Sequence, residues 1–334
     1  MKDKKLGKWS IVVVFCAVLI AFGASFNGKA FAKYPEKPIT LLVAFAAGGS
    51  MDMCNRALAA VAEKYLGQPI VVENRGGGGG TVALAVVVNA KRDRHTRCGA
   101  TSTGIVRIPQ FRKVPFKPLK SFTPIMAYGF PQSALVVRKD APWKTFKEFI
   151  EYAKAHPGRI KYSTTGVGTP MHRAMEYIAK REGIKWVHIP YKGSAPAMTA
   201  LLGGHVDACS SGPIFITHAK SGTVRILATH GEKRMAAFPD VPTLKELGYD
   251  FVNRTVFSIV GPAGLPPEVV KKLEDAFKKA AESKEFKAVL DKLYLAPTFM
   301  DSKTYAEFLK SEWDRIGKML MDLGLIKKAA TPPY

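Results

Sequence analysis

The sequence predicts an α/β fold with largely parallel sheets, arranged in two lobes. Three observations carry this. Strand-like apolar runs alternate with helical patterns along the chain. Two of these runs end in a glycine- and hydroxyl-rich loop that opens a helix, one over residues 39–52 and one over residues 159–170. The chain has 334 residues, and even without its first 32 it exceeds the usual single-domain size of about 100–150 residues.

Residues 1–32 read as an export signal rather than as part of the fold. Lys2, Lys4, Lys5 and Lys8 make a basic start, residues 11–22 are an uninterrupted apolar run, and Ala30-Phe31-Ala32 fits a small-x-small cleavage pattern. That apolar run falls short of the roughly 20 residues of a membrane span. The expectation is a secreted chain cleaved near Ala32. No later run reaches 18 apolar residues, so the mature chain is expected to be soluble.

The elements follow in order. Residues 39–45 are a strand, and Ala57, Leu58, Val61 and Tyr65 mark the helix after its loop. Ile70-Val71-Val72 is a second strand that ends in Glu73-Asn74-Arg75 and runs into five glycines at 76–80. Thr145 and Glu148 form a capping box for a helix through Phe149, Ile150 and Ala153. Residues 159–163 are a strand. Thr169 then sits as N-cap and Pro170 as the first helical residue, where a missing N–H costs nothing. Residues 187–190 are a strand leading to a third helix-opening loop, residues 191–196. Its helix carries Met198, Leu201 and Leu202 and stops at Gly203-Gly204. Residues 206–209 read as the next strand. Pro266-Pro267 begin an amphipathic helix with Val269, Val270, Leu273 and Phe277 on one face. Thr304 and Glu307 cap another, with Phe308, Trp313, Ile316 and Leu320 as its apolar positions, and residues 329–334 read as a frayed tail.

N–H groups at a helix start lack intrahelical partners and carry partial positive charge, and glycines let an anion approach them closely. Two such loops point to one negatively charged ligand held from two sides. The net charge of +23 agrees with a solvated basic face, visible at Lys271, Lys272, Lys278 and Lys279, or with attraction of anionic solutes, a membrane surface or nucleic acid. Export and the lack of a recognised binding motif argue against nucleic acid. Cys54, Cys98 and Cys209 have no metal-site spacing; either two of them pair or all three are buried thiols.

Taken together, the motifs resemble one family. Tyr34-Pro35-Glu36-Lys37-Pro38-Ile39, then Phe45-Ala46-Ala47-Gly48-Gly49-Ser50-Met51-Asp52, then the stretch from Leu66-Gly67-Gln68-Pro69 to Glu73-Asn74-Arg75 occur in order. The stretch 162–172, Pro190-Tyr191-Lys192-Gly193, Leu201-Leu202-Gly203-Gly204-His205-Val206-Asp207, Phe238-Pro239-Asp240-Val241-Pro242-Thr243 and Gly261-Pro262-Ala263-Gly264-Leu265-Pro266 follow. The chain resembles the solute receptors of the tripartite tricarboxylate transporters, the Bug family, over nearly all of its mature length. It departs from the family pattern at Ala47 and Gly76, where the family has Pro, and in the basic stretch 92–98.

The resemblance implies a periplasmic binding protein of the two-lobed type II fold. Each lobe is a mixed sheet flanked by helices, and two hinge strands join them. Residues 33–133 plus 258–334 form one lobe and 134–257 the other, with crossings near 133–138 and 255–261. It implies a small carboxylate ligand (a di- or tricarboxylate, an acidic amino acid or an aromatic acid) delivered to an integral membrane permease. The chain is expected to be monomeric, with no nucleic acid partner, no catalytic residue, no metal and no cofactor.

The expected ligand contacts are Phe45, Ala47, Gly48, Gly49, Ser50, Asp52, Thr101, Thr103, Thr165, Gly166, Gly168, Thr169, His172 and Asp207. Phe45 either packs on the ligand or belongs to the core. Asp52 either caps first-turn N–H groups or holds a water or an ammonium. His172 either caps and packs, or bonds to the ligand or its loop. Lys192 is either a counter-charge or part of a solvated turn. Asp207 orients a loop. The five-glycine run lacks the Gly-Lys-Ser/Thr ending of a phosphate cradle and reads as a permissive loop at the cleft rim. Two rival readings are a hydrolase using His172, Ser163 and Asp207 or Cys54, without a Gly-x-Ser-x-Gly elbow, and a sensor subunit that presents its ligand to a membrane kinase.

Overall fold

The computed structural model describes residues 34–90, 95–322 and 326. The expected export signal and the expected frayed tail lie outside the described residues. Both sheets of the structure belong to one unit, residues 37–334.

The first sheet has the order β11-β4-β10-β3-β1-β2. Its strands are β1 (Ile39–Val43), β2 (Ile70–Asn74), β3 (Thr96–Thr101), β4 (Phe122–Phe130), β10 (Phe257–Pro262) and β11 (Ala296–Met300). The second has the order β7-β6-β8-β5-β9. Its strands are β5 (Ala134–Arg138), β6 (Lys161–Thr164), β7 (Val187–Pro190), β8 (Ala208–Ser211) and β9 (Val224–Thr229). The helices are α1 (Ser50–Leu66), α2 (Thr81–Asn89), α3 (Phe146–Ala155), α4 (Pro170–Glu182), α5 (Ser194–Leu202), α6 (Phe215–Lys220), α7 (Pro267–Glu282), α8 (Lys284–Leu293) and α9 (Ser302–Asp322).

Largely parallel pairing is found in β2-β1-β3 and in β7-β6-β8, and not beyond them. β5 and β10 run against their neighbours. The reason is where they enter. A strand arriving from the other sheet starts at the edge where the parallel strands end, and so runs back along them. β5 begins with Ala134 opposite Ser211, the last residue of β8, and β10 begins with Phe257 opposite Thr101, the last residue of β3. The result is the mixed α/β architecture of two helix-flanked sheets.

Residues 131–133 and 230–256 join the sheets, so both crossings lie just upstream of the strands expected to make them. They are bonded to each other. His230 donates its N–H to Ser133 O at 2.8 Å, Asn253 donates its N–H to His230 O at 2.8 Å, and Asn253 Nδ2 donates to Ser133 Oγ at 3.0 Å.

β5 shows how the sequence builds the core around the second sheet. Side chains alternate across a strand, and Leu135 and Val137 enter one apolar cluster while Ala134 and Val136 enter another on the opposite face. The first cluster holds Phe149 of α3, whose ring meets Trp143 edge-on at 5.2 Å. α3 is capped as expected, Thr145 Oγ1 accepting the Glu148 N–H at 3.2 Å. The capping residue of α9 differs from the expectation. Asp301 Oδ1 accepts the Thr304 N–H at 2.7 Å, so Thr304 is the donor and the shorter acid upstream is the cap.

Phe149→Ala removes a fully buried ring and should lower the free energy of unfolding by about 3–5 kcal/mol. Urea unfolding measures it; a loss below about 1 kcal/mol would mean that this cluster does not hold the second half together.

Candidate functional site

The parallel strands of each sheet end facing the other sheet, and the loops after them line one cleft. The cleft is partly open to solvent and is walled by residues from both halves. From the first sheet's half come Phe45, Gly49, Ser50, Met51, Thr101 and Thr103. From the second come Thr165, Thr169, Pro170, Met171, Ser194, Gly212 and Pro213. The crossings supply Pro131, Asn253 and Thr255, and the first residue of β10 supplies Phe257. No lysine, arginine or acid is among them.

Helix starts dominate this wall. α1 has Gly49 at its N-cap and α5 has Gly193, and neither start carries a side-chain cap. Gly49 and Ser194 face each other closely: a Cβ at Gly49 would stand 3.0 Å from Ser194 Oγ. α4 begins with Pro170 after Thr169, whose hydroxyl takes the His172 N–H at 3.5 Å. Hydroxyls complete the lining. Thr103 Oγ1 and Thr255 Oγ1 lie 2.8 Å apart, and Thr101 Oγ1 accepts the Gly104 N–H at 3.2 Å. Ser50 Oγ and Thr165 Oγ1 are buried, and neither has a hydrogen-bond partner among the described residues. Uncompensated buried hydroxyls are costly, and both of these residues belong to the cleft wall.

The structure thus brings Phe45, Gly49, Ser50, Thr101, Thr103, Thr165 and Thr169 into one cleft, and places the other expected contacts elsewhere. Ala47 is exposed and absent from the wall. Gly48 spends its N–H on Asp52 Oδ2 at 2.9 Å. Asp52 is a scaffold: its Oδ1 also takes Arg56 Nε and Asn74 Nδ2, both at 2.9 Å. Asn74, from the Glu-Asn-Arg motif, in turn donates to Phe45 O at 3.0 Å, so an acid in α1 shapes the first loop from behind. Gly166 gives its N–H to Thr164 Oγ1 at 3.2 Å and Gly168 gives its own to His172 Nδ1 at 3.2 Å. His172 is therefore behind the loop, not in the cleft. Asp207 sits at the far end of its sheet, taking the Lys161 N–H at 2.7 Å where β6 begins. Lys192 turns its side chain to solvent and presents its carbonyl.

Sequence reasoning missed Ser194, although the loop at 191–196 was recognised as a helix opener; counting it with the other two such loops would have found it. Met51 and Met171 were findable as neighbours of the loop residues. Asn253, Thr255 and Phe257 carry no local signal and enter only because the second crossing passes under the cleft.

The enzyme candidates do not assemble. Ser163 gives its hydroxyl to Ala197 O at 3.0 Å, Asp207 is engaged at Lys161, and His172 at Gly168. Cys54, Cys98 and Cys209 are free and buried. Burial pushes all three thiols up, Cys209 to about 11 and the other two further, the opposite of what a nucleophile needs.

Residues 54–325 match the family described as the tripartite tricarboxylate transporter family receptor. A UPF0065 protein from the gbd 5′ region of Cupriavidus necator is 40% identical over 295 residues, which cover 88% of this chain and 90% of that protein. The periplasmic binding protein BugD superposes with a TM-score of 0.82 at 28% identity, covering 87% of this chain and 99% of BugD. MatC from Rhodopseudomonas palustris with bound malate gives a TM-score of 0.78 at 27% identity, over 86% and 100% of the two chains. An R. palustris protein with adipate gives 0.79 at 26%, over 87% and 98%.

Thr165→Val deletes a hydroxyl that no described residue satisfies. The unfolding free energy should stay the same or rise by up to about 1 kcal/mol; a clear loss in chemical denaturation would show that this hydroxyl is already bonded.

Proposed function

Because the chain belongs to the tripartite tricarboxylate transporter receptor family, we propose that its cleft captures a small di- or tricarboxylate and delivers it to a membrane permease. The family is one of solute-binding receptors, and its members are periplasmic. We read residues 1–32 as the export signal, removed near Ala32, and the working protein as a monomer.

One observation carries the ligand class. Uncapped starts of α1 and α5, one from each sheet, meet at a cleft whose lining has no cationic side chain. Each helix start presents about half a positive elementary charge on open N–H groups. A carboxylate accepts several such bonds without a buried counter-ion. The malate and adipate of similar proteins are dicarboxylates, which supports a ligand with two acid groups, one for each wall. The apolar remainder of the wall, Phe45, Met51, Pro131, Met171 and Phe257, suits the carbon chain between them.

We assign residues 33–133 with 258–334 to one lobe and 134–257 to the other, hinged at the paired crossings. We read the arrangement as the closed one, on the contacts at its rim. Ala46 N–H donates to Lys192 O at 2.9 Å across the rim. A Cβ at Gly76 would stand 2.8 Å from that same Lys192 oxygen, and one at Gly193 would stand 2.9 Å from Ala46 N. The first of the five glycines is thus a seam residue that lets two backbones touch. Ligand stabilises this seam only through contacts absent in the open form, and the permease recognises the closed shape.

Two results test this. Calorimetry with malate, adipate, citrate and glutamate should show at least one acid binding stoichiometrically to the folded protein; none doing so contradicts the reading. Gly76→Val should weaken that binding at least tenfold, because its Cβ would meet Lys192 O across the rim; it would also crowd Ala46 N at 3.1 Å and Phe45 C at 3.2 Å in its own half, so the melting temperature should fall as well. Unchanged affinity would remove the seam from the account.

A further inference from the structure

Behind the loop at 165–169 lies a stack of three rings that the ligand reading does not use. His172 of α4 stacks on His188 of β7 at 4.1 Å and 24°, and His188 stacks on Tyr162 of β6 at 4.9 Å and 19°. The stack grips both ends of the loop. At the start, His188 Nε2 lies 2.7 Å from Thr164 Oγ1, the hydroxyl that also takes the Gly166 N–H. At the end, His172 Nδ1 accepts the Gly168 N–H at 3.2 Å, and the His172 backbone N–H reaches Thr169 Oγ1. Thr165 and Thr169, between and beside these anchors, line the cleft.

The Gly168 contact fixes a protonation state. Nδ1 accepts a hydrogen bond only when it carries no proton. An imidazolium at His172 has a hydrogen there, facing the Gly168 N–H. The contact then turns from attraction to repulsion, and the loop end must move.

The groups around His172 are few. On its own helix, Glu176 Oε1 stands 3.8 Å from Nε2 and favours the charged ring, while Arg173 disfavours it. From β6, Tyr162 donates its hydroxyl to that same Glu176 oxygen at 2.6 Å, so the carboxylate is already engaged. From β7, the His188 ring is a second basic group in van der Waals contact. Burial, the largest influence, holds His172 below its ordinary value, and burial with the His172 neighbour brings His188 down to about 4. Both rings are therefore neutral at neutral pH, as the Gly168 contact requires.

We propose that His172 is a positioning residue for the ligand loop, and that carboxylate affinity falls as the pH drops below the ordinary histidine range because the Gly168 contact is lost. This rests on the solute-binding reading of the same cleft. The sign follows from the native state favouring neutral rings: the stabilisation is whole above pH ~6.5 and is lost as protons bind on the way down towards the depressed native values. A nearby carboxylate ligand pulls the other way, by favouring imidazolium, but it acts across the loop whereas the Gly168 contact is direct.

The test uses the full mature chain, whichever probe acid binds it (malate, adipate, citrate or glutamate), and calorimetry at pH 7.5 and 5.0. Circular dichroism confirms folding at both. Wild-type affinity should fall roughly threefold to tenfold, the size of one net hydrogen bond. His172→Asn places an amide oxygen where Nδ1 was, so it should keep the neutral-pH affinity and lose the acid-side fall. His172→Leu should bind more weakly at both values. The Gly168 amide resonance gives a readout that needs no ligand. It should titrate with the histidine in the wild type and stay still in the Asn variant, which also decides the matter should no probe acid bind and the receptor reading itself fail. A Gly168 amide indifferent to His172, or an Asn variant with the wild-type pH dependence, overturns the proposal.

Discussion

A helix start leaves N–H groups that its own helix cannot satisfy, and a buried one must find a partner elsewhere. In this protein two starts without a side-chain cap, those of α1 and α5, are set against each other from different sheets. The rest of the structure serves that arrangement. Parallel strands carry both loops to the same side, antiparallel entry of β5 and β10 lets the chain pass twice beneath them, and Asp52 and Asn74 hold the first loop from behind. The outcome is a positive wall built without positive side chains. On the proposed function, such a wall holds an anion and can also release it, since no buried ion pair has to be broken. Lysines and arginines are plentiful in this chain, and none is in the cleft lining.

Two kinds of constraint keep the wall in place. One is close backbone approach, seen where Gly76 and Gly193 admit the 2.9 Å bond between Ala46 and Lys192; a side chain at either glycine would hold the rim apart. The other is support from beneath. The second loop has no acid comparable to Asp52. It relies on a hydroxyl, Thr164, and on imidazole, so the two loops differ in what holds them: the first is pinned by the Asp52 carboxylate, the second by a ring nitrogen that accepts only while it carries no proton.

Much of this was legible in the sequence. The glycine and hydroxyl loops before α1 and α4 stand out because helix-start chemistry is local, and Thr169-Pro170 announces its own geometry. So were the alternation of elements and the family motifs. What escaped depended on partners far along the chain. Gly48, Gly166 and Gly168 look like free donors until Asp52, Thr164 and His172 are seen to use them. Asp207 looks available until β6 arrives beside it. Asn253, Thr255 and Phe257 sit in the cleft only because the second crossing runs under it, and direction of entry also explains the antiparallel strands that simple alternation does not reveal. Ser194 is the instructive miss, since its loop was read correctly and only its convergence with the others was not.

The most direct measurement is a crystal structure of the protein with its bound acid. The account predicts one acid group accepting from backbone N–H groups at the start of α1 and the other accepting at the start of α5, with the Ser50 and Thr165 hydroxyls turned toward the ligand. An acid held instead by a lysine or arginine side chain, or seated away from either helix start, would contradict it.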